Sequence, residues 1–212
     1  SAWWCATASS TRVTELPLFP LQTVLFPGGL LSLKVFEARY LDLASTCLRE
    51  HRPFGVVALL KGHEVRRGDD AVAFEDIGVV AELLEVDSAQ PGILQLRCRG
   101  TQRFRIEGTR QQADGLWIAE VEMLPDDEAV PPAETMLETV RGLANAIASL
   151  KGKGVEPFES PYQFDRAGWV ANRWCEILPI PLAAKQKLME LPDGRVRLGL
   201  VDEYLRGKGV VK

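Results

Sequence analysis

Histidine and cysteine are scarce, with two and four residues in a chain of 212. Cys5, Cys47, Cys98 and Cys175 stand far apart and form no C-x-x-C pair, and only His51 and His63 could join them. A structural zinc site needs closely spaced ligand pairs, so no metal site is expected. Scattered cysteines in a chain of this size fit reduced thiols and a cytoplasmic protein. The sequence also lacks G-x-S-x-G, H-E-x-x-H and any paired-carboxylate spacing, so an enzyme is the least supported class and no cofactor is expected.

No apolar run approaches the ~20 residues that span a bilayer. The opening Ser1-Ala2-Trp3-Trp4-Cys5-Ala6 is aromatic but has no basic flank and no long apolar region, unlike a secretory signal. Its initial serine fits removal of a methionine, again pointing to the cytoplasm. There is no internal repeat and no low-complexity tract. Charge of one sign is missing too: the net charge is −4, distributed as −6 over residues 1–130 and +2 beyond. Neither part is basic enough to hold nucleic acid by charge alone.

What is present is ordinary globular composition, 46% hydrophobic and 25% charged. Residues 13–130 read as β-rich. Val13 to Phe26 is apolar but interrupted by Pro17 and Pro20, which predicts a short edge strand and a bend. After Pro27-Gly28-Gly29, Leu31, Leu33 and Val35 alternate with Ser32 and Lys34 as in a half-buried strand. A helix is predicted over about 37–51, with Phe36, Tyr40, Leu43, Ala44, Cys47 and Leu48 on its apolar face and Pro53 beyond its end. Further strands are expected at 54–60, 77–86, 93–99, 104–110 and 116–124, with a charged exposed loop over 61–70. Short strands at this spacing with one early helix suggest a small closed or half-closed barrel.

Composition changes at Pro125-Asp126-Asp127-Glu128. Beyond it Met136, Val140, Leu143, Ile147 and Leu150 form a helical stripe. A linker over 151–161 follows, which would let that helix sit apart from the rest. Asp165 is the expected N-cap of a helix carrying Trp169, Val170, Trp174 and Ile177, and Pro179 and Pro181 break it. Helices at 182–191 and 195–205 close the chain, the second capped by Asp193.

These residues carry a family pattern. Leu16-Pro17-Leu18-Phe19-Pro20-Leu21, Val24-Leu25-Phe26-Pro27-Gly28 and Phe36-Glu37-Ala38-Arg39-Tyr40-Leu41 resemble the opening of the N-terminal domain of Lon proteases. Phe54-Gly55-Val56-Val57, Ile77-Gly78-Val79-Val80-Ala81, Gly100-Thr101-Gln102-Arg103-Phe104-Arg105-Ile106 and Leu178-Pro179-Ile180-Pro181-Leu182 follow in family order. The resemblance spans about residues 15–205. It implies an α+β fold: a mostly antiparallel barrel like that of pseudouridine synthase and archaeosine transglycosylase (PUA-like), with an early helix, then a C-terminal helical bundle. The corresponding parts are residues 12–125 and 131–207. The G-x-x-x-x-G-K-[ST] phosphate loop of the Lon ATPase is missing from this sequence, since Gly152-Lys153-Gly154 and Gly207-Lys208-Gly209 lead to no Ser or Thr. The peptidase Ser–Lys dyad has no counterpart either. The resemblance therefore implies a non-catalytic module that binds unfolded or native polypeptide and works with a protease.

Three groups are candidate binding residues. Arg97 and Arg99 precede Gly100-Thr101-Gln102, and Arg103 and Arg105 follow it. As a hairpin this would put four guanidiniums on one outer face, suited to carboxylates, phosphates or carbonyls. The competing reading is a solvated ladder with Glu107, Glu120 or Glu122. Glu37 and Arg39 sit at a strand-to-helix junction, where Arg39 could anchor a loop or a ligand. Phe26 and Leu30 flank a turn and would form an apolar patch if exposed, or plain core if not. The rival function is an RNA-binding PUA-like module using the arginines, disfavoured by net charge and by the lack of an exposed aromatic series.

Overall fold

The computed structural model of the chain describes residues 13–60 and 73–212. The predicted loop over 61–70, Cys5, His63 and the aromatic N-terminus lie outside the described residues. The elements run β1 (Val13–Leu21), β2 (Leu30–Val35), α1 (Ala38–Glu50), β3 (Phe54–Ala58), β4 (Ile77–Gln90), β5 (Ile93–Gln111) and β6 (Trp117–Met123). A short 3-10 turn (Glu134–Met136) then leads to α2 (Leu137–Gly152), α3 (Ala167–Ile177), α4 (Leu182–Glu190) and α5 (Gly194–Gly207).

The strand order is β2-β5-β4-β3-β1-β6, and β5 also pairs with β6. That extra pairing closes β5, β4, β3, β1 and β6 into a ring, antiparallel except between β1 and β3. Each ring strand contributes to one apolar cluster, Leu16, Leu18, Val57, Val80, Phe104, Ala119 and Val121, which fills the ring. β2 lies outside it, beside the first half of β5.

β1 is an inner strand, not an edge strand. Val13–Leu18 ladder onto β6 and Leu18–Leu21 onto β3. Each half is laddered mainly from one side, which leaves positions where the N–H missing at Pro17 and Pro20 removes no ladder bond.

The two strands expected at 93–99 and 104–110 are one continuous β5. Gly100 marks a close approach instead of a reversal: Gly28 N–H donates to Gly100 O and Gly100 N–H donates to Gly29 O, both at 2.8 Å. A Cβ on Gly100 would lie 2.4 Å from Phe26 O. Opposite it, Gly28 at φ 79° opens a bulge in which two residues face one.

A second bulge lies on β5 itself. Val79 pairs with Arg103 but Ala81 with Gly100, so β5 carries one extra residue there. The insertion reverses its alternation. Leu96 and Cys98 share the outer core with α1 and the helices, whereas Phe104 enters the ring.

The helical half docks on the outside of the ring in a core that runs from Phe19 and Val79 to Leu143, Trp174 and Leu198. The expectation that the first long helix sits apart is corrected here. Leu143 and Ile147 are buried, and Trp174 Nε1 donates to Thr139 O at 2.9 Å. α3 starts one residue later than Asp165 predicts, with Arg166 at the N-cap and no side-chain cap. The donor is met by main chain, Ala167 N–H to Val130 O at 2.9 Å. Asp193 caps α5 as expected, accepting from Arg195 and Val196 N–H.

Candidate functional site

The strand alternation of β2 and the helical period of α1 disagree about Phe36. Strand alternation buries Leu33 and Val35 and so turns Phe36 outward, while the helical period places it on the apolar face with Tyr40. Because α1 begins only at Ala38, the strand decides, and Phe36 is 64% exposed. Leu48, also assigned to the core by helical period, is exposed as well.

Phe36 stands on the rim of an open groove of about 680 Å³ between the end of β1 and the β2–α1 junction. The floor is aromatic: Phe19 stacks on Tyr40 with centroids 4.0 Å apart and planes 12° from parallel. Burial raises the Tyr40 hydroxyl above its ordinary range, so it stays protonated. Arg39 lies over the Tyr40 ring at 4.7 Å, donates from Nε to Glu37 at 3.0 Å and from Nη1 to Gly115 O at 2.8 Å. It thus anchors the β5–β6 turn to the start of α1. On the opposite wall Trp117 packs edge-on against Phe74, and its buried Nε1–H has no partner among the described residues.

The predicted residues divide. Glu37 and Arg39 belong to the groove. Phe26 does not form a surface, being 1% exposed in the core, and Leu30 is half-buried at the start of β2. The arginines do not share a face. Arg97 lies 3.9 Å from Glu85, and Arg99 bridges Glu82 and Glu159 at 3.2 and 2.6 Å. Beyond the bulge, Arg105 lies 3.9 Å from Glu122. Arg103 is 4% exposed and donates to Leu191 O at 2.7 Å and Pro125 O at 3.0 Å. Reading by residue type missed Phe36, Phe19 and Trp117, although the β2 alternation already carried the signal for Phe36.

A second cleft, of about 590 Å³, lies where ring and helices meet. Of its lining, Arg103, Asp127 and Asn172 are tied together through Arg197 behind them. Arg197 forks onto Asp127 at 2.7 and 3.1 Å and reaches Asn172, Leu188 O and Leu191 O, while Arg103 stands 3.7 Å from Asp127. This arrangement fastens the helices to the ring. A third hollow, apolar and about 380 Å³, lies on α4 and α5 beside Leu188, Leu200 and Tyr204.

Nucleophiles are not assembled in any of these places. Burial pushes the thiol of Cys47 up to about 11 and those of Cys98 and Cys175 up to about 12, so they are inert near neutrality. His51 ends α1 in the left-handed conformation. Among the described residues no cluster of three metal-ligating side chains occurs, and no helix is long and apolar enough to cross a membrane.

The fold is α+β, a closed ring of strands carrying helices on its outside. Residues 15–207 match the family model of the ATP-dependent protease La (LON) substrate-binding domain, and the chain belongs to that family. It is 26% identical over 200 residues to a Lon protease of Anaeromyxobacter dehalogenans, covering 91% of this chain and 23% of that protein. It is 30% identical over 118 residues to protein cereblon of Danio rerio, covering 54% of this chain and 26% of that one. The chain thus spans about a quarter of the length of these curated relatives. Among solved structures, a Lon N-terminal domain protein from Xanthomonas campestris matches with a TM-score of 0.71 and 32% identity over 89% of this chain and 97% of that one. The N-terminal domain of a Mycobacterium avium complex Lon protease shares the fold, with a TM-score of 0.61 and 17% identity over 90% and 97%.

Proposed function

We propose that the chain is a non-catalytic module that recognises polypeptide, and that the Phe36 groove holds an apolar segment of it. The observation that carries this reading is Phe36 itself: a large ring turned to solvent beside an aromatic floor, in a member of a substrate-binding family. The PUA-like barrel supplies the recognition surface, and the helices over 131–207 brace it. The partners in this reading are unfolded or native polypeptides in the cytoplasm and a protease that receives them.

Magnitudes limit what the groove does alone. Burying one apolar side chain stabilises a complex by roughly 1.5–3 kcal/mol. Micromolar binding needs about 8 kcal/mol. Side chains in the groove therefore require help from main-chain hydrogen bonds or a second contact.

The test is fluorescence anisotropy of labelled reduced, carboxymethylated α-lactalbumin, which cannot fold, titrated with the chain at physiological salt. Saturable micromolar binding, weakened about tenfold by Phe36→Ala, is expected. A wild-type chain that leaves the anisotropy flat refutes the reading. Binding to single-stranded RNA that falls steeply with salt and is lost in an Arg97→Ala/Arg105→Ala variant would replace it with the nucleic-acid reading.

A further inference from the structure

The help that the groove requires lies along its neighbour. Among the described residues β2 pairs with β5 alone, so one of its edges has no described strand beside it. The direction of its main-chain groups follows from the bulge at its start. Gly100 N–H donates to Gly29 O, which fixes Gly29 and Gly100 as a hydrogen-bonded pair. In an antiparallel ladder such pairs recur every second residue. Leu31 with Cys98, Leu33 with Leu96 and Val35 with Leu94 are therefore bonded pairs, and Leu30, Ser32 and Lys34 turn their N–H and C=O groups outward. No partner among the described residues receives them. Ser32 and Lys34 are exposed. The edge leads straight into the groove, whose lining includes Lys34 and Phe36.

We propose that this open edge of β2 accepts an extended polypeptide segment as an added strand, one end of which runs into the Phe36 groove. The proposal rests on the polypeptide-binding reading above and names how that site takes its ligand. A row of paired donors and acceptors at two-residue spacing is complementary to an extended backbone and indifferent to its sequence. Side-chain preference then comes from the groove at the end of the row, with its Phe19–Tyr40 floor and Phe36 rim. The occupant is a heterologous chain, not a second copy. The match to a substrate-binding family is what favours a foreign chain as the occupant.

The alternation supplies its own control. Ser32→Pro removes an outward N–H and no bond to β5, and its extended backbone suits proline. Leu33→Pro removes an inward one and should unfold the strand. With reduced, carboxymethylated α-lactalbumin as the probe, Ser32→Pro should weaken binding tenfold or more while its thermal melt stays that of the wild type. Amide exchange of the wild-type chain, read by NMR, makes the proposal testable even if that variant folds poorly. The amides of Leu30, Ser32 and Lys34 should exchange fast in the free chain and at least tenfold more slowly at saturation. Those of Leu31, Leu33 and Val35 should be protected in both states.

If the wild type binds the probe but these three amides are unchanged and Ser32→Pro binds normally, strand addition is wrong while polypeptide recognition stands. If the wild type does not bind the probe, both readings fall. Protection that appears without the probe and grows with protein concentration would assign the edge to a second copy and overturn the proposal.

Discussion

Three arginines, Arg103, Arg173 and Arg197, lie almost wholly inside the molecule; Arg103 and Arg173 are held by main-chain oxygens of distant segments, and Arg197 by the nearby Leu188 and Leu191 carbonyls and the distant Asp127 carboxylate. Arg103 spans the interface between ring and helices, so its loss strands the carbonyl of Pro125, takes one of two donors from Leu191 O and leaves Asp127 with one guanidinium fewer. Arg103→Ala should cost about 3–5 kcal/mol in urea unfolding. Arg105→Ala, on an exposed side chain two residues along, should cost no more than about 0.5 kcal/mol. Equal effects of the two would refute the assignment. In the sequence Arg103 and Arg105 look alike, because the carbonyls that hold Arg103 belong to Leu191, 88 positions away, and Pro125, 22 away. Glu176 gives a second residue-scale prediction. Burial raises its carboxyl to about 7 from an ordinary 4.5, against the pull of Arg173 and Lys185. The folded chain then holds a proton that the unfolded chain has released between those two values. This group's contribution to stability is largest below pH 4.5 and falls as the pH rises toward 7. Glu176→Gln keeps the acceptor for Arg173 and has no charge to lose. Thermal melts across that window should show a smaller downward slope in the variant, and parallel slopes would contradict the account.

At the scale of elements, close backbone approach decides where the ring can form. A Cβ on Gly78 in β4 would stand 2.3 Å from Val56 O in β3, a main-chain clash that only parting the strands relieves. Gly108 in β5 faces open space. Gly78→Ala should therefore lower stability by about 1–3 kcal/mol or more, while Gly108→Ala is neutral within about 0.5 kcal/mol, both read from denaturant midpoints. A tolerated Gly78→Ala would show that β3 and β4 are not so closely packed. The alternation of β2 and the Asp193 cap of α5 are legible locally, whereas the helical period of α1 places the exposed Phe36 and Leu48 on its apolar face. β1 and β5 were misread for one reason. Pro17, Pro20 and Gly100 normally interrupt strands, but here partial laddering on β1 and a bulge against β5 absorb them.

At the scale of the whole molecule, the ring and the helices act as one body through the Arg103–Asp127–Arg197 fastening and a shared apolar core. The groove at the β2–α1 junction takes none of its lining from α2 to α5. The ordered family motifs made the architecture legible, while the site was only half so. Glu37 and Arg39 could be picked out at the strand-to-helix junction, but the groove needs Phe19, Phe36 and Trp117 from three strands or strand ends that only closure of the ring brings together. The most direct test of the central claim is photo-crosslinking from position 36. Benzoylphenylalanine replacing Phe36, mixed with reduced, carboxymethylated α-lactalbumin, should give a crosslinked product that saturates with the polypeptide and disappears under unlabelled competitor. The same photo-reactive residue replacing Leu200, in the apolar hollow of α4 and α5, should give little. Crosslinking from position 200 with none from position 36 would contradict the account and move recognition to the helices.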